Sequence, residues 1–215
     1  MDGVSIEAAR ETLAGLWGQA GVTWVLPVLL GLGLAAATGL RTFLPLLMMA
    51  GAERLNLFGL QLNDSWSWVT SDAAMIALGV AAVIEFVGDK IPGVDHALHS
   101  LGLVARPVAA AVAAGGLFAG VDPTTAAVAG VIVGAPTALA FNAAQGSARV
   151  ASTTTTAGLG NPALSLIEDV LSVFTVILAF LAPILIPVLL IVLAVVVFRL
   201  ARRLRRRREG QARPA

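Results

Sequence analysis

The sequence predicts an all-α integral membrane protein with about six transmembrane helices. Of its 215 residues, 58% are hydrophobic and only 13% are charged, and the mean hydropathy is +0.89. A soluble domain carries about 25% charged residues. The apolar run Ala163–Leu200 alone is long enough for two crossings, because one crossing needs about 20 residues. The composition excludes a disordered chain, a nucleic-acid-binding domain and most soluble enzymes.

The net charge of +1 conceals an acidic body and a basic tail. Residues 199–215 contain eight arginines and one glutamate, which gives +7. Residues 1–198 contain six basic and twelve acidic residues, which gives −6. Basic residues beside a span favour the cytoplasm, so residues 201–215 are expected to form a cytoplasmic tail, with the N-terminus on the same side after six spans. The tail would also attract anionic lipids, at ~1 kcal/mol per basic residue.

The first element expected is an amphipathic helix within residues 1–20. Ile6, Leu13 and Trp17 recur at helical spacing, with Glu7 and Arg10 on the other face. Such a helix would either lie flat in the bilayer interface or pack as a cap on the membrane domain.

The transmembrane domain is expected over residues 21–200. Two spans in its last apolar run are expected to hinge around Ala182–Pro187, since one helix of that length would overshoot the bilayer. The four earlier spans follow from hydropathy alone: Trp24–Ala50, Ala73–Val87, Leu101–Gly120 and Thr124–Phe141.

A Thr- and Gly-rich segment separates the fourth and fifth spans. Thr153, Thr154, Thr155 and Thr156 offer four hydroxyl groups, and Asn161 stands before a proline that can begin the next helix. We expect either a broken or re-entrant element, which needs protein or a water-filled cavity around it, or a cytoplasmic loop.

Two inverted three-helix repeats, residues 24–120 and 124–200, are a further expectation. The segment AAATGLR, which ends at Arg41, resembles NAAQGSAR, which ends at Arg149. Inverted repeats with interrupted helices are typical of transporters. The many small residues, such as Gly130 and Gly134, let helices approach closely, either within the bundle or between copies in a homo-oligomer.

Several ionisable residues fall within or beside apolar segments, where each costs at least ~2.5 kcal/mol. One interpretation makes them the walls of a path, with Arg41, Arg149, the four threonines and Asn161 binding an anionic substrate. The equally weighted alternative makes them structural ion pairs, such as Arg41 with Glu85 or Arg149 with Glu168. Arg106 is interpreted as an interfacial charge that reaches toward the head groups. The acids assigned to proton or cation coupling are Glu85, Asp89, Asp95, Glu168 and Asp169.

The sequence contains no recognisable catalytic motif, and no cofactor or catalytic residue is expected. Cysteine is absent, which excludes a thiolate metal site. His96, His99 and Asp95 could form part of a metal site, but interfacial hydrogen bonding is the preferred interpretation, so no metal is expected.

Three motifs together resemble a bacterial membrane family known as a domain of unknown function, the DUF4126 family. They are GLRTFLPLL (39–47), IEFVGDKIPGVDHALHSL (84–101) and ASTTTTAGLGNPALSLIE (151–168). The resemblance covers about Leu29–Leu190 and implies a multi-pass protein of the bacterial inner membrane.

The family pattern maps onto individual residues of this chain. An arginine before FLP corresponds to Arg41 and an acid before I-P-x-x-D to Glu85 with Asp95. A Thr-rich GLGNP segment before a glutamate corresponds to Thr153–Thr156, Asn161 and Glu168. Members often carry a second acid after the I-P-x-x-D turn, near which this chain has His99.

The hypothesis favoured by these features is a small transporter- or channel-like protein for an anionic, phosphate-bearing or lipid-linked substrate, with acids that couple to protons or cations. The motivation is the set of opposite charges and interrupted helices at membrane depth. The alternative is a non-transporting structural or assembly protein. A lipid-modifying membrane enzyme ranks below both.

Overall fold

The computed structural model describes residues 18–91 and 94–211, without the side chains of residues 95–97, 197, 200, 201 and 203–211. Within these ranges the chain is helical and contains no β-strand. The amphipathic helix expected in residues 1–20 lies almost entirely outside the described residues. The same is true of the end of the basic tail, residues 212–215.

Seven α-helices build the described part of the chain. Short 3-10 turns precede α3 and α7, and a π-helical turn precedes α1. The α-helices are α1 (Leu26–Leu40), α2 (Leu44–Arg54), α3 (Asp72–Gly88), α4 (Val94–Gly116), α5 (Pro123–Thr156), α6 (Asn161–Leu181) and α7 (Ile186–Gln211).

Helix starts follow ordinary capping chemistry. The carboxylate of Asp122 accepts hydrogen bonds from the N–H groups of Thr124 and Thr125, and Pro123 occupies the first position of α5. The Ser71 hydroxyl oxygen accepts from the N–H of Ala74 at the start of α3. These contacts satisfy N–H groups that have no partner inside the helix.

Helix α1 is the centre of the bundle and runs antiparallel to α4. Its residue Gly31 lies against Ala114, near the end of α4. Its residue Gly39 accepts a hydrogen bond through its carbonyl oxygen from Arg106, nearer the start of α4. Nearly every residue of α1 from position 30 onward is buried.

Helices α5 and α6 complete the contacts of α1. Val133 of α5 lies against Gly31 and Ala138 lies against Gly39, so α5 runs parallel to α1. The Ser172 hydroxyl of α6 donates to the carbonyl oxygen of Ala37. Ala179 of the same helix lies against Gly33, so α6 is antiparallel to α1. The inverted repeats are not confirmed: inversion would oppose the two segments that end at Arg41 and Arg149, whereas the structure runs them in the same direction.

Small residues allow α4 and α5 to pack backbone against backbone. A Cβ atom added at Gly134 would overlap the carbonyl oxygen of Ala110, and one added at Gly130 would overlap that of Ala111. The expected close approach of these glycines therefore occurs inside one chain. Association between copies stays a prediction.

The first expected span, residues 24–50, is two helices rather than one. Helix α1 ends at Leu40, residues 41–43 are not helical, and α2 begins at Leu44. Helix α2 pairs with α3, since Arg54 at its end contacts Asp72 at 2.5 Å and Thr42 before its start contacts Glu85. Because α3 runs back from Asp72 to Glu85, α2 returns toward the end of the bundle where α1 began.

The Thr-rich segment is helical, which corrects the expectation of a broken, re-entrant or loop-like stretch there. Helix α5 continues through Thr156, and the chain leaves helical geometry only in the turn of residues 157–160. Each of Thr154, Thr155 and Thr156 donates its hydroxyl to a carbonyl oxygen one turn earlier. These bonds are compatible with a helix, so a run of threonines is not by itself a break.

The chain has several helices that can cross a membrane. Four described helices are long and apolar enough, and a fifth is reached if the bent pair Asp64–Thr70 and Asp72–Gly88 is one span. The apolar stretch Pro183–Val196, which is the 3-10 turn and the first part of α7, is shorter. The chain breaks at residues 182–185, as expected from its prolines, and Ala179 and Ile186 both lie against Gly33. The end of α6 and the start of α7 therefore lie at the same level of α1. The count of six spans is not confirmed.

Candidate functional site

Eight charged side chains of the described residues meet where α1 ends. We call them the charge cluster, and this end of the bundle the cluster end; the opposite end, near Arg54 and Asp122, is the far end. The cluster members lie on helices α3 to α6, in the turn after α3 and in the break that follows α1. The members are Arg41, Glu85, Asp89, Lys90, Arg106, Arg149, Glu168 and Asp169.

Apolar side chains surround the charge cluster on the outside of the bundle. They alternate in sequence with cluster members and are exposed, as lipid-facing residues are. A charge behind such a surface is at membrane depth, where it needs a partner. These exposed residues are Ile84, Phe86 and Val87 on α3, Leu103, Val104 and Val108 on α4, and Ile167 and Val170 on α6.

Glu85 accepts hydrogen bonds from the open N–H groups of the break between α1 and α2. Its Oε1 atom accepts hydrogen bonds from the N–H of Thr42 at 2.9 Å and from the Thr42 hydroxyl at 2.8 Å. Its Oε2 atom accepts from the N–H of Phe43 at 3.3 Å. A carboxylate is favoured at a helix start, where N–H groups are unpaired. Glu85 thus acts as the cap of α2 from a neighbouring helix.

Arg106 donates hydrogen bonds on the other side of the break, where α1 ends. Its Nη1 atom donates to the carbonyl oxygen of Gly39 at 3.1 Å and to Oδ1 of Asn142 at 2.6 Å, and also to the side-chain oxygen of Gln145. Its Nη2 atom lies 3.8 Å from Oε1 of Glu85. The interpretation of Arg106 as an interfacial charge is wrong. The residue is only 3% exposed, because it satisfies the carbonyl group of Gly39 near the end of α1 and two side-chain amides of α5.

Arg41 lies in the break itself and binds two acids. It pairs with Asp89 through Nη1 and with Oδ1 of Asp169 through Nε, at 2.5 Å. Its Nη2 atom donates to the hydroxyl of Ser165 at 2.8 Å and to the carbonyl oxygen of the same residue at 3.1 Å. The suggested pair of Arg41 with Glu85 does not form, since Glu85 is turned toward the open N–H groups of the break.

Arg149 forms the suggested pair with Glu168. Its Nη2 atom lies 2.7 Å from Oε2 and its Nε atom 3.4 Å from Oε1, a two-pronged contact. The same Nη2 atom lies 3.2 Å from Oδ2 of Asp89. Gln145 donates to Oε2 of Glu168 at 2.6 Å. Asp89 therefore bridges two arginines through one oxygen atom, because Arg41 binds Oδ2 as well.

The charges of the described cluster members balance. Its four basic groups (Arg41, Lys90, Arg106 and Arg149) face its four acids (Glu85, Asp89, Glu168 and Asp169). In a low-dielectric interior such a neutral set is tolerated, whereas one unpaired charge is costly. Lys90 sits at the edge, over the ring of Phe86 and 3.9 Å from Asp169.

A cavity of about 350 Å³ adjoins the cluster at Arg149. It brings together four of the seven residues predicted to bind substrate: Arg149, Thr153, Thr154 and Asn161. The other three, Arg41, Thr155 and Thr156, do not line it. The remaining wall consists of His99, Ser100, Gly146 and Val150.

Two further predictions concern residues at the start of α4. The side chain of Asp95, predicted to couple to cations, lies outside the described residues. Among the described residues, no group of three or more histidine, cysteine or acidic side chains could hold a metal ion.

The sequence interpretation missed several uncharged members of the site: Thr42, Asn142, Gln145 and Ser165. A signal was present. Asn142, Gln145 and Arg149 recur at helical spacing along one face of an otherwise apolar α5. Polar residues that share a face of a membrane helix point to the protein interior.

Fold and site together define a multi-pass membrane protein whose interior holds a neutral set of paired charges beside a small cavity. The family comparison agrees with this class. The profile of the family described as "Domain of unknown function (DUF4126)" matches residues 28–203, well over half of the chain, and the chain belongs to that family. No curated protein and no solved structure matches the chain.

Proposed function

We propose that this protein is a small carrier that binds an anionic group in the Arg149 cavity together with a proton. The observation that carries the proposal is the position of Arg149. It lines the cavity and, through Nη2, contacts both Glu168 and Asp89. An anion in the cavity would therefore compete directly with two carboxylates for one guanidinium group.

Charge balance explains why a proton accompanies the anion. The cluster is neutral, with four basic and four acidic groups, so an added anion leaves one negative charge without a partner. That charge would lie in a medium where its cost is several kcal/mol. A proton on one carboxylate restores neutrality. The expected ratio is one proton for each monovalent anion.

The chemistry of the cavity suits a phosphate-bearing anion with an apolar part. A guanidinium group binds two oxygens of a phosphate at once. The hydroxyls of Thr153 and Thr154 and the amide of Asn161 add polar contacts, and Val150 adds apolar surface. Val150 is also exposed on the outer surface of α5, which gives an apolar chain a route from the bilayer. A lipid-linked phosphate meets all these conditions.

The proposed orientation puts the cluster end in the cytoplasm of a bacterial inner membrane. In this proposal α7 crosses toward the cluster end, and the basic tail that follows it favours the cytoplasm. Lys90 is at the cluster end, whereas Asp64 and Asp122 are at the far end. Six full crossings are proposed, made by α1 and α3–α7. Helix α2 is shorter, but it returns from the cluster end toward the far end and so adds one more change of side. The first described residue then lies outside, unlike the N-terminus expected from the sequence.

Purified protein in vesicles containing a pH-sensitive dye tests the proposal. Dimethyl phosphate is a suitable probe, since its single charge does not change near neutral pH, and sulfate and chloride complete the panel. We expect internal acidification when the phosphate diester is added. Arg149→Gln should reduce it at least tenfold, whereas Arg54→Gln, which alters an exposed ion pair, should not. No acidification above empty vesicles with any probe would reject the proposal.

A second experiment distinguishes a lipid head group from a free anion as the ligand. The soluble short-chain lipid dihexanoyl phosphatidylglycerol carries the same phosphodiester with two apolar chains. We expect it to raise the unfolding temperature of the wild type more than dimethyl phosphate does. The same shift with both probes would indicate that only the anionic group is recognised.

The non-transporting alternative is also supported by an observation. Glu85 and Arg106 satisfy the backbone groups of the helix break, which is a structural role. Exchanging Arg149 and Glu168 in one variant discriminates the two functions. A scaffold would regain full function with the pair reversed. A carrier would regain its fold but not anion-dependent acidification, because the cavity would then present a carboxylate.

A further inference from the structure

We infer that Asp169 is the acid that takes up the coupled proton, and that Arg41 and Asp89 transmit this event to Arg149. The inference rests on the proposed function and names its coupling residue. It starts from a difference among the four acids of the charge cluster: all have a basic partner, but only Asp169 has a buried oxygen that accepts no hydrogen bond from the described residues.

The oxygens of the other acids are engaged more fully. Both oxygens of Glu85 and both of Glu168 accept hydrogen bonds. The Oδ2 atom of Asp89 binds two arginines. The Oδ2 atom of Asp169 is buried and accepts no hydrogen bond from the part of the chain that the structure describes. A proton placed there displaces no donor, whereas a proton on either glutamate would compete with existing N–H or O–H groups.

Asp169 also has the most solvent-exposed side chain of the four acids. Its side chain is 15% exposed, against 4–8% for the other three acids of the cluster. Lys90, 33% exposed, lies 3.9 Å from Oδ2 of Asp169. The described charged groups that act on Asp169 are Arg41 from the helix break and Asp89 and Lys90 from the turn after α3. Glu168 precedes it on α6 and pairs with Arg149 of α5.

A chain of ion pairs connects Asp169 to the cavity. Asp169 binds Nε of Arg41, Arg41 binds Oδ2 of Asp89, and the same Oδ2 atom binds Arg149. A proton on Asp169 removes one negative charge from Arg41, which then holds Asp89 more tightly. Asp89 in turn weakens its contact with Arg149, whose guanidinium can then bind an anion from the cavity beside Glu168. No covalent bond other than the new O–H is formed.

Infrared spectroscopy of the full-length protein in lipid tests this assignment directly. Lowering the pH from 8 to 5.5 should produce one carboxylic-acid band that shifts when all aspartates carry ¹³C. We expect Asp169→Asn to lose this band and Asp72→Asn, a change in the exposed partner of Arg54, to keep it. Asp169→Glu keeps the charge and should restore a band that aspartate labelling no longer shifts.

Anion binding gives a second readout. For one coupled proton, the affinity of the wild type for dimethyl phosphate should fall ~10-fold per pH unit above the pKa of the acid. In Asp169→Asn it should change less than twofold between pH 5.5 and 8. A persistent aspartate band in Asp169→Asn and Asp169→Glu, or no band in the wild type, overturns the assignment. The proposed function fails separately, if the wild type binds and carries no anion whatever the spectra show.

Discussion

Arg41, Arg106 and Arg149 carry the same guanidinium group but meet different surroundings. Arg106 bonds to a backbone carbonyl and two amide side chains, so its role is to hold the helix break together. Arg41 bonds to two acids and links them. Arg149 has the cavity on one side. The sequence identified Arg41 and Arg149 from their position in apolar runs. It could not identify the role of Arg106, because that role depends on a break two helices away.

Arg106→Ala should destabilise the protein strongly. The change leaves Glu85 buried without its basic partner and opens the carbonyl of Gly39, and losing one member of a buried pair costs ~3–5 kcal/mol. Thermal unfolding in detergent measures the loss. Arg54→Ala is the matched control, because its pair with Asp72 is exposed and worth less than ~1 kcal/mol. Equal effects of the two changes would contradict the role given to Arg106.

The helix elements show where sequence patterns predict well and where they do not. Hydropathy located the apolar segments that became α3, α5 and α6, and prolines located the break before α7. The break at Arg41 was missed, because Gly39 and Pro45 permit a break but do not require one. It becomes stable only when Glu85 and Arg106, distant in sequence, supply the missing hydrogen bonds. The threonine run caused the opposite error: a break was expected there, but the helix continues because the threonine hydroxyls bond within it.

Gly134→Ala should weaken the contact between α4 and α5. The new methyl group would overlap the carbonyl oxygen of Ala110, and over-packing typically costs ~1–3 kcal/mol. Gly79→Ala is the matched control, since a Cβ at Gly79 meets nothing within 4 Å and alanine favours a helix by up to ~1 kcal/mol. We expect a lower unfolding temperature for the first variant and an equal or higher one for the second. The reverse order would refute close packing at Gly134.

The cap at the start of α5 makes stability depend on pH. The hydroxyl of Thr125 and the N–H groups of Thr125 and Thr124 hold the pKa of the exposed Asp122 carboxyl below its ordinary value. Because the folded-state pKa is the lower one, the cap stabilises fully above the unfolded pKa of about 4 and is lost as pH falls through the folded value. Asp122→Asn keeps an acceptor and should remove this pH dependence, as judged from unfolding temperatures between pH 6 and 3. An unchanged profile would contradict the cap.

At the scale of the whole molecule, the proposed topology and the sequence expectation differ in how often the chain changes sides of the membrane. The number is odd in the proposed topology and even in the sequence expectation. The membrane class and the family can be predicted from the sequence. The return of α2 along α3 cannot be predicted in this way, because it depends on contacts between Arg54 and Asp72 at one end and Thr42 and Glu85 at the other. In the proposed topology, this one missed return moves residue 18 to the other side of the membrane.

Single cysteines test this topology without background, because the chain contains none. Ser65 lies at the far end and Leu159 in the turn at the cluster end, and both are exposed. We expect Ser65→Cys to react with a membrane-impermeant maleimide in intact spheroplasts. Leu159→Cys should react only after permeabilisation. Labelling of both, or of Leu159→Cys alone, in intact spheroplasts would contradict the proposed orientation.

The voltage dependence of uptake tests most directly the central claim, that a neutral charge cluster takes up an anion and a proton together. One monovalent anion with one proton carries no net charge. Uptake of dimethyl phosphate into vesicles should therefore follow an imposed pH gradient and be unchanged when valinomycin and potassium impose a membrane potential of either sign. Uptake driven by the membrane potential and insensitive to the pH gradient would contradict the claim.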